Sequence, residues 1–477
     1  MVKPSIAWFR DDLRVADNPA LRAAVDDGGA VALYVLDEES PGIRPLGGAS
    51  RWWLHHSLLA LREDLASLGI PLLLRRGPAD AVVRETTTAL GAGGLYWNRR
   101  YGEAERTLDA GVKAWASGSG VHAKSFQASL LHEPWDVTTK QGGPFKVFTP
   151  FWRTVSARDF RDPWDTPEGG RGFSGRLPDQ EELAGWGLLP RSPDWSAGLA
   201  EAWQPGPVQA HELLEDFVEQ GLADYSVNRD RPDLPGSSRL SPFLRWGQLS
   251  PFEVWHAQLR RRRELGDGNA VFATELGWRE FCWHQYFHHP DLATANLRPG
   301  FDHYPWAWPE LDDPSKKGPG KNGPGKNGPE KSGHTSPEAS LLRAWQEGKT
   351  GFPLVDAGQR QLWRTGWMHN RVRMVSASLL VKNLGIHWQL GEQWFWDTLV
   401  DADPASNPAN WQWVAGSGAD ASPFFRIFNP ETQAKKFDPQ GKYVAEWIPE
   451  IATPDYPEPV VDLKTSRQEA LDAYGSL

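Results

Sequence analysis

The feature that most constrains this chain is an alternation over its first 135 residues, where short apolar runs are separated by stretches of helical period. The runs are SIAWF (5–9), AVALYVL (30–36), PLLLR (71–75), GLYWN (94–98) and VHAKSF (121–126). Between the second and third, Leu54, Leu58, Leu61, Leu65 and Leu68 recur at the spacing that puts them on one helical face. Strands alternating with helices predict a parallel, doubly wound sheet, so residues 1–135 are expected to form an α/β domain. A glycine-rich dinucleotide turn after the first strand is absent, because Phe9-Arg10-Asp11-Asp12-Leu13-Arg14 occupies its place. An ordinary nicotinamide site is therefore disfavoured.

Residues 136–207 are rich in Pro, Gly and Trp with little periodicity, which predicts a connector laid over the surface. Helical patterning dominates residues 208–477, so an all-α C-terminal domain is expected. Ser250-Pro251-Phe252-Glu253 is a capping box, and Ser336-Pro337-Glu338 opens another helix in similar style. The segment 315–334 repeats Gly-Pro-Gly-Lys-Asn and predicts a cationic loop unable to bury apolar surface. A net charge of −10 excludes a generally basic, histone-like binder. Cys282, the single cysteine, can form neither an intramolecular disulfide nor a thiolate metal cluster. With no long apolar run and an N-terminus that meets charge early, a cytoplasmic protein without a membrane span is expected.

Composition matters in one respect: 26 Trp stand against 9 Tyr, an inversion that suits either a Trp-rich core or stacking on flat ligands. Several chemical signatures fail. Gly348-Lys349-Thr350 lacks the first glycine of a phosphate loop, which is Arg343, and Gly416-Ser417-Gly418 lacks the first glycine of a nucleophile elbow, which is Ala415. Glu280, His284 and His288 share a helical face but have no evident further ligand, so no metal site is expected. A better signal lies in two helical segments. Phe272, Glu275, Trp278 and Arg279 project together, as do Trp367, Asn370, Arg373 and Met374. Buried charges need partners, and Asp401, Asp403 and Asn407, with Trp411 and Trp413 beyond, supply them. Polar groups converging among tryptophans describe a pocket for a flat molecule with polar edges.

These residues carry a resemblance. Trp8 to Arg14 with Asp17-Asn18, Gly236 to Pro242, Trp278-Arg-Glu-Phe281, Gly366 to Met374 and Phe425 to Pro430 are similar to the photolyase/cryptochrome family, most like bacterial class I cyclobutane pyrimidine dimer photolyases. The resemblance implies an antenna domain followed by a helical domain holding FAD in a bent conformation. It implies an FAD site of Tyr225, Ser237, Ser238, Arg239, Leu240, Ser241, Phe272, Arg279, Asn370, Arg373, Asp401, Asp403 and Asn407, with Asn407 at the position facing flavin N5. It further implies a pocket for a flipped dimer built from Arg229, Glu275, Trp278, Asn370, Met374 and Trp413, with Glu275, Asn370 and Asn407 as the catalytic set. A (6-4) photolyase resembles this segment with a histidine pair in place of Asn370 and Met374. The implied electron relay is Trp411, Trp388 and an outer Trp306, with Trp308 as the alternative. Arg51 and Glu105 match the general antenna pattern, which leaves three alternatives open: a deazaflavin, methenyltetrahydrofolate or no second chromophore. The expected activity is light-driven electron transfer from reduced FAD to a dimer in UV-damaged DNA by a monomer, with Arg239, Arg371 and Lys382 as further cations near the pocket. The rival expectation is a cryptochrome that signals without repair.

Overall fold

The computed structural model describes residues 3–265, 270–309, 336–421 and 425–477. The lysine-rich repeat of 315–334 lies outside them. Five parallel strands, β1 (Ser5–Phe9), β2 (Ala30–Leu36), β3 (Leu72–Arg76), β4 (Gly94–Asn98) and β5 (His122–Phe126), form one sheet in the order β3-β2-β1-β4-β5. Strands β1, β2 and β4 are buried along their whole length, which is why they read as unbroken apolar runs and not as alternation. The helices Pro19–Asp27, Gly48–Ser67, Ala79–Leu90 and Glu103–Gly118 provide the crossovers. Chain direction across the sheet reverses at β1, whose neighbours are β2 and β4, and the carboxyl ends of those strands flank a topological switch point.

The segment after β1 replaces a glycine turn with a buried polar knot. Arg10 donates to Asp109 at 2.6 Å, and Asn98 Nδ2 donates to Asp12 at 2.6 Å and to Asn18 at 2.9 Å. Arg14 reaches out of the sheet domain to the Gly247 carbonyl at 2.8 Å. Gly247 has a φ of +65°, and a Cβ there would lie 2.3 Å from the Asp11 carbonyl oxygen, so only glycine lets the two backbones meet.

The leucine face of the Gly48–Ser67 helix is buried, and its Trp53 packs edge-on against Trp203 and Phe243 with ring centroids at 5.5 and 5.2 Å. The connector is not purely superficial, because Gly172 bridges Ala30 at the start of β2 and Trp203 joins this core. Both expected helix starts form: Ser250 and Glu253 exchange hydrogen bonds of 2.8 and 3.0 Å, and Ser336 Oγ accepts from Ala339 N at 3.1 Å. A second core gathers Trp345, Val372, Leu380, Trp388, Phe395 and Trp411. Trp8, Trp53, Trp97, Trp246, Trp345 and Trp388 are fully buried, so much of the tryptophan excess is core. No helix among the described residues is long and apolar enough to cross a membrane.

Candidate functional site

The site is organised by the loop between the helices Trp388–Thr398 and Ser406–Ala415. Asp401 accepts from Arg373 at 2.9 and 3.2 Å and from the Ser241 hydroxyl at 2.6 Å, which ties that loop to the helix Asn370–Ser378 and to the Gly236–Ser241 turn. Arg373 is braced further by donating from Nε to the Met368 carbonyl at 2.7 Å. Asp403 accepts from the Ala405 and Ser406 amides at 2.9 and 2.6 Å, capping the helix that presents Asn407, Trp411 and Trp413. Asn407 is buried, and its amide donates to the Glu392 carbonyl at 3.0 Å and to Glu392 Oε1 at 2.8 Å. Both amide protons are thereby used, and Oδ1 is left without a hydrogen bond among the described residues. Glu392 in turn is held by Arg44 at 2.7 and 2.9 Å.

Arg239 has a φ of +54° and lies over Trp203 at 4.3 Å, with Trp367 at 5.7 Å. Its Nε is buried and has no partner, and burial without a counter-charge pushes its guanidinium down from the ordinary range. An unpaired arginine in one turn with the hydroxyls of Ser237 and Ser238 fits a pyrophosphate, so this donor set suits FAD. Leu240 is buried beneath the turn, Tyr225 and Phe272 meet edge to face at 5.4 Å, and Arg279 pairs with Glu280 at 3.2 Å.

The lesion candidates lie on the helices Ala270–His288, Asn370–Ser378 and Ser406–Ala415. Glu275 and Arg229 form an ion pair with each other; burial lowers the Arg229 pKa, but the hydrogen bond and charge of Glu275 outweigh it and leave it raised. Trp278 stacks on Phe148 with centroids 3.8 Å apart and planes 8° from parallel, so one face of its indole is already covered. Trp413 is half-buried beside Phe428 and under Arg426, whose guanidinium lies 5.2 Å from the ring. Asn370 is exposed and Met374 half-buried one helical turn apart, on the helix whose Arg373 holds Asp401.

Trp411 and Trp388 are buried and sit on adjoining helices. A Cβ at Gly391 would fall 2.2 Å from Trp411 Cη2, so Trp411 rests on the backbone one turn beyond Trp388. Gly391→Ala is therefore expected to displace Trp411, destabilising the holoprotein by about 1–3 kcal/mol in a denaturant titration. Trp388 donates to Asn296 at 2.9 Å and lies 5.7 Å from His387, which meets Trp306 at 5.1 Å and Trp308 at 4.5 Å. Burial pushes His387 down to about 4, so the ring between these tryptophans is neutral at neutral pH. Both outer candidates thus contact one histidine, which in turn lies against Trp388.

A cavity of about 440 Å³ opens at the switch point of the sheet, its lining including Arg10, Asp11, Tyr34, Arg100, Glu105 and Tyr286. Glu105 lines this cavity. Arg51 does not line it and forms an ion pair with Glu38 instead.

One surmise changes. Lys382 is not a cation free to meet DNA at the pocket: it is buried, donates to the Ala415 carbonyl at 2.6 Å at a helix C-terminus, and is pushed down to about 6 by burial. The Glu280, His284 and His288 face is structural, since Glu280 pairs with His132 and with the Leu131 amide, and His284 accepts from the Phe145 amide at 3.1 Å. Among the described residues no group of such side chains could hold a metal.

Comparison with known proteins follows the same lines. Residues 5–168 match the DNA photolyase family model, and residues 272–454 match the FAD binding domain of DNA photolyase. A deoxyribodipyrimidine photo-lyase of Agrobacterium fabrum is 43% identical over 99% of this chain and 98% of its own length. The chain belongs to the photolyase/cryptochrome family. A bacterial class III photolyase from Agrobacterium tumefaciens superposes with a TM-score of 0.89 at 42% identity, covering 100% of this chain and 98% of that one. The motifs pointed towards class I, and this solved relative carries a different subclass. Cryptochrome-1 of Arabidopsis thaliana is 36% identical over 94% of this chain, which spans 63% of that protein. FAD is the cofactor of this photolyase-family enzyme. The residues sequence reading missed are Glu392, Arg44, Phe148 and the Asp230 that pairs with Arg371 at 2.8 Å.

Proposed function

We propose that this chain repairs cyclobutane pyrimidine dimers in DNA under light, as a monomer in the cytoplasm. Residues 1–135 would serve as antenna domain, 136–207 as connector and 208–477 as the domain of repair. The observation that carries the reading is the helix Asn370–Ser378, where Arg373 grips the cofactor-side Asp401 while Asn370 and Met374 stand beside it, free to meet a substrate. Bound FAD, when reduced, supplies light-driven one-electron donation. The chain's own residues bind and orient. The Arg239 turn and the Arg373–Asp401 pair hold the cofactor's charged and polar edges, and Asn407 presents Oδ1, an acceptor suited to the N–H of a reduced flavin. Trp278 and Trp413 offer apolar walls to a flipped dimer, and Asn370 and Glu275 meet its amide and carbonyl edges. Arg229, paired with Glu275, fixes that carboxyl before a lesion arrives. Likeness to the Agrobacterium tumefaciens photolyase supports the class III subclass. The second chromophore, a deazaflavin or methenyltetrahydrofolate, would take the cavity containing Glu105.

The test assays reduced protein on a thymine dimer and on a (6-4) photoproduct, in light and in dark. Restoration of the dimer alone, in light alone, is expected, because no histidine pair stands at Asn370 and Met374. Glu275→Ala should retain FAD yet bind damaged DNA about tenfold more weakly, the loss of a charge-assisted hydrogen bond of about 1.4 kcal/mol. No dimer repair by flavin-loaded, reduced wild type would promote the cryptochrome reading, which the likeness to Cryptochrome-1 keeps in view.

A further inference from the structure

The cavity at the domain boundary and the cofactor loop are joined by two arginine bridges. In the first, Arg44 forks onto the Glu392 carboxylate at 2.7 and 2.9 Å, with its guanidinium 4.0 Å from the centre of the Trp396 ring. Glu392 then takes both protons of the Asn407 amide, at 2.8 and 3.0 Å. In the second, Asp11 pairs with Arg245 at 3.0 Å, and Arg245 Nε donates to the Ala402 carbonyl at 2.7 Å, between Asp401 and Asp403. Arg44, Glu392, Asp11 and Arg245 all line the cavity.

We propose that filling this cavity with a planar heteroaromatic of the pterin or deazaflavin class is transmitted along Arg44–Glu392–Asn407 and Asp11–Arg245–Ala402, so that cavity ligand and FAD bind cooperatively. The proposal rests on Asn407 and the 401–403 loop facing FAD. Volume and chemistry fit such a ligand. About 440 Å³ holds one fused heterocycle with a tail, and the lining sets the guanidinium groups of Arg44 and Arg100 among the rings of Tyr34, Trp246 and Trp396, which suits a flat ring with acceptors on its edge.

The sign of the coupling follows from burial. The Arg44 side chain is 33% exposed while that of Glu392 is 2% exposed, so the pair is solvated from the arginine side. A guanidinium has five donors, and two are spent on Glu392, leaving three for ligand acceptors. A ligand over Arg44 displaces water and strengthens its attraction to Glu392 in the drier surroundings. That immobilises Glu392 and, through it, the amide whose Oδ1 meets the cofactor. Ordering achieved by the first ligand is not charged again to the second, so coupling is positive and, by linkage, equal in both directions. Arg44 and Glu392 are positioning residues: they act on FAD only through Asn407.

The test follows release of FAD from diluted holoenzyme by filtration, alone and with saturating methenyltetrahydrofolate or, in a parallel arm, a 5-deazaflavin. In wild type, one of the two is expected to slow release about fivefold. Arg44→Met, which keeps the stem against Trp396 but loses the fork, should reduce the effect below about 1.5-fold, and Arg44→Lys should restore part of it. Unchanged release in wild type with ligand bound, full coupling in Arg44→Met, or uptake of neither ligand would each overturn the proposal. Dimer repair measured on the same wild-type preparation separates the two readings: repair without coupling sinks only the cooperativity, whereas coupling without repair sinks only the assigned activity.

Discussion

Asp401→Asn is expected to lose FAD during purification while the chain still folds. The carboxylate of Asp401 is 3% exposed and serves two partners, the Arg373 guanidinium at 2.9 Å and the Ser241 hydroxyl at 2.6 Å. An amide of the same shape can keep one of these contacts but cannot neutralise Arg373, whose side chain is 23% exposed. Removing one partner from a largely buried pair costs about 3 kcal/mol or more, which at this site is a little over a hundredfold in cofactor affinity. The loss should exceed that of any single serine in the Gly236–Ser241 turn, because Asp401 fixes helix, turn and loop together. Flavin content and FAD affinity are the readouts, with circular dichroism reporting the fold. Wild-type retention of FAD would mean that Asp401 serves packing and not the cofactor. Arg373→Lys should fall between the two, since an ammonium cannot reproduce the fork or the Nε bond to the Met368 carbonyl.

The sheet was legible because its signal is local. Parallel strands covered on both faces must be apolar throughout, and each crossover helix advertises its buried stripe within a few turns, as Leu54 to Leu65 do. The Arg373–Asp401 pair was legible for a different reason: two charges in apolar segments each demanded a partner. Arg44 and Glu392 gave no such sign. They lie 348 positions apart, and each stands in a stretch where a charge would ordinarily be solvated. Only the folded chain brings the loop after β2 against the helix Trp388–Thr398. Phe148 was hidden likewise, in the connector whose composition suggested surface. Lys382 shows the opposite failure. Its neighbours Leu379, Leu380 and Val381 were the available signal of burial, and its charge alone made it a candidate cation near the pocket. Arg51 sits on a helix near the cavity, yet sequence cannot say that its side chain turns to Glu38.

Trp388→Phe is expected to abolish photoreduction of oxidised flavin while leaving repair by chemically reduced protein intact. Trp388 touches no residue proposed to meet the lesion, and its indole is held by Asn296 at 2.9 Å within a fully buried setting. Phenylalanine fills most of the volume, so the fold should survive with a loss of about 1–3 kcal/mol from the missing hydrogen bond and ring. What disappears is the oxidisable indole between Trp411, resting on Gly391 one turn away, and the outer pair around His387. Phenylalanine is far harder to oxidise than tryptophan, so an electron must then cross the whole gap in one step. The outer pair makes a sharper contrast. Trp306 donates its indole proton to the Val381 carbonyl at 3.0 Å, whereas Trp308 is 51% exposed and can lose its proton to water after oxidation. Because both rings contact His387, replacing either one should slow photoreduction without ending it, and replacing both should match Trp388→Phe. Illuminating oxidised holoprotein with an external thiol reductant and following the flavin spectrum ranks the four variants. Full-rate photoreduction in Trp388→Phe would remove this residue from the relay, and a complete loss in Trp306→Phe alone would show that the outer end does not fork.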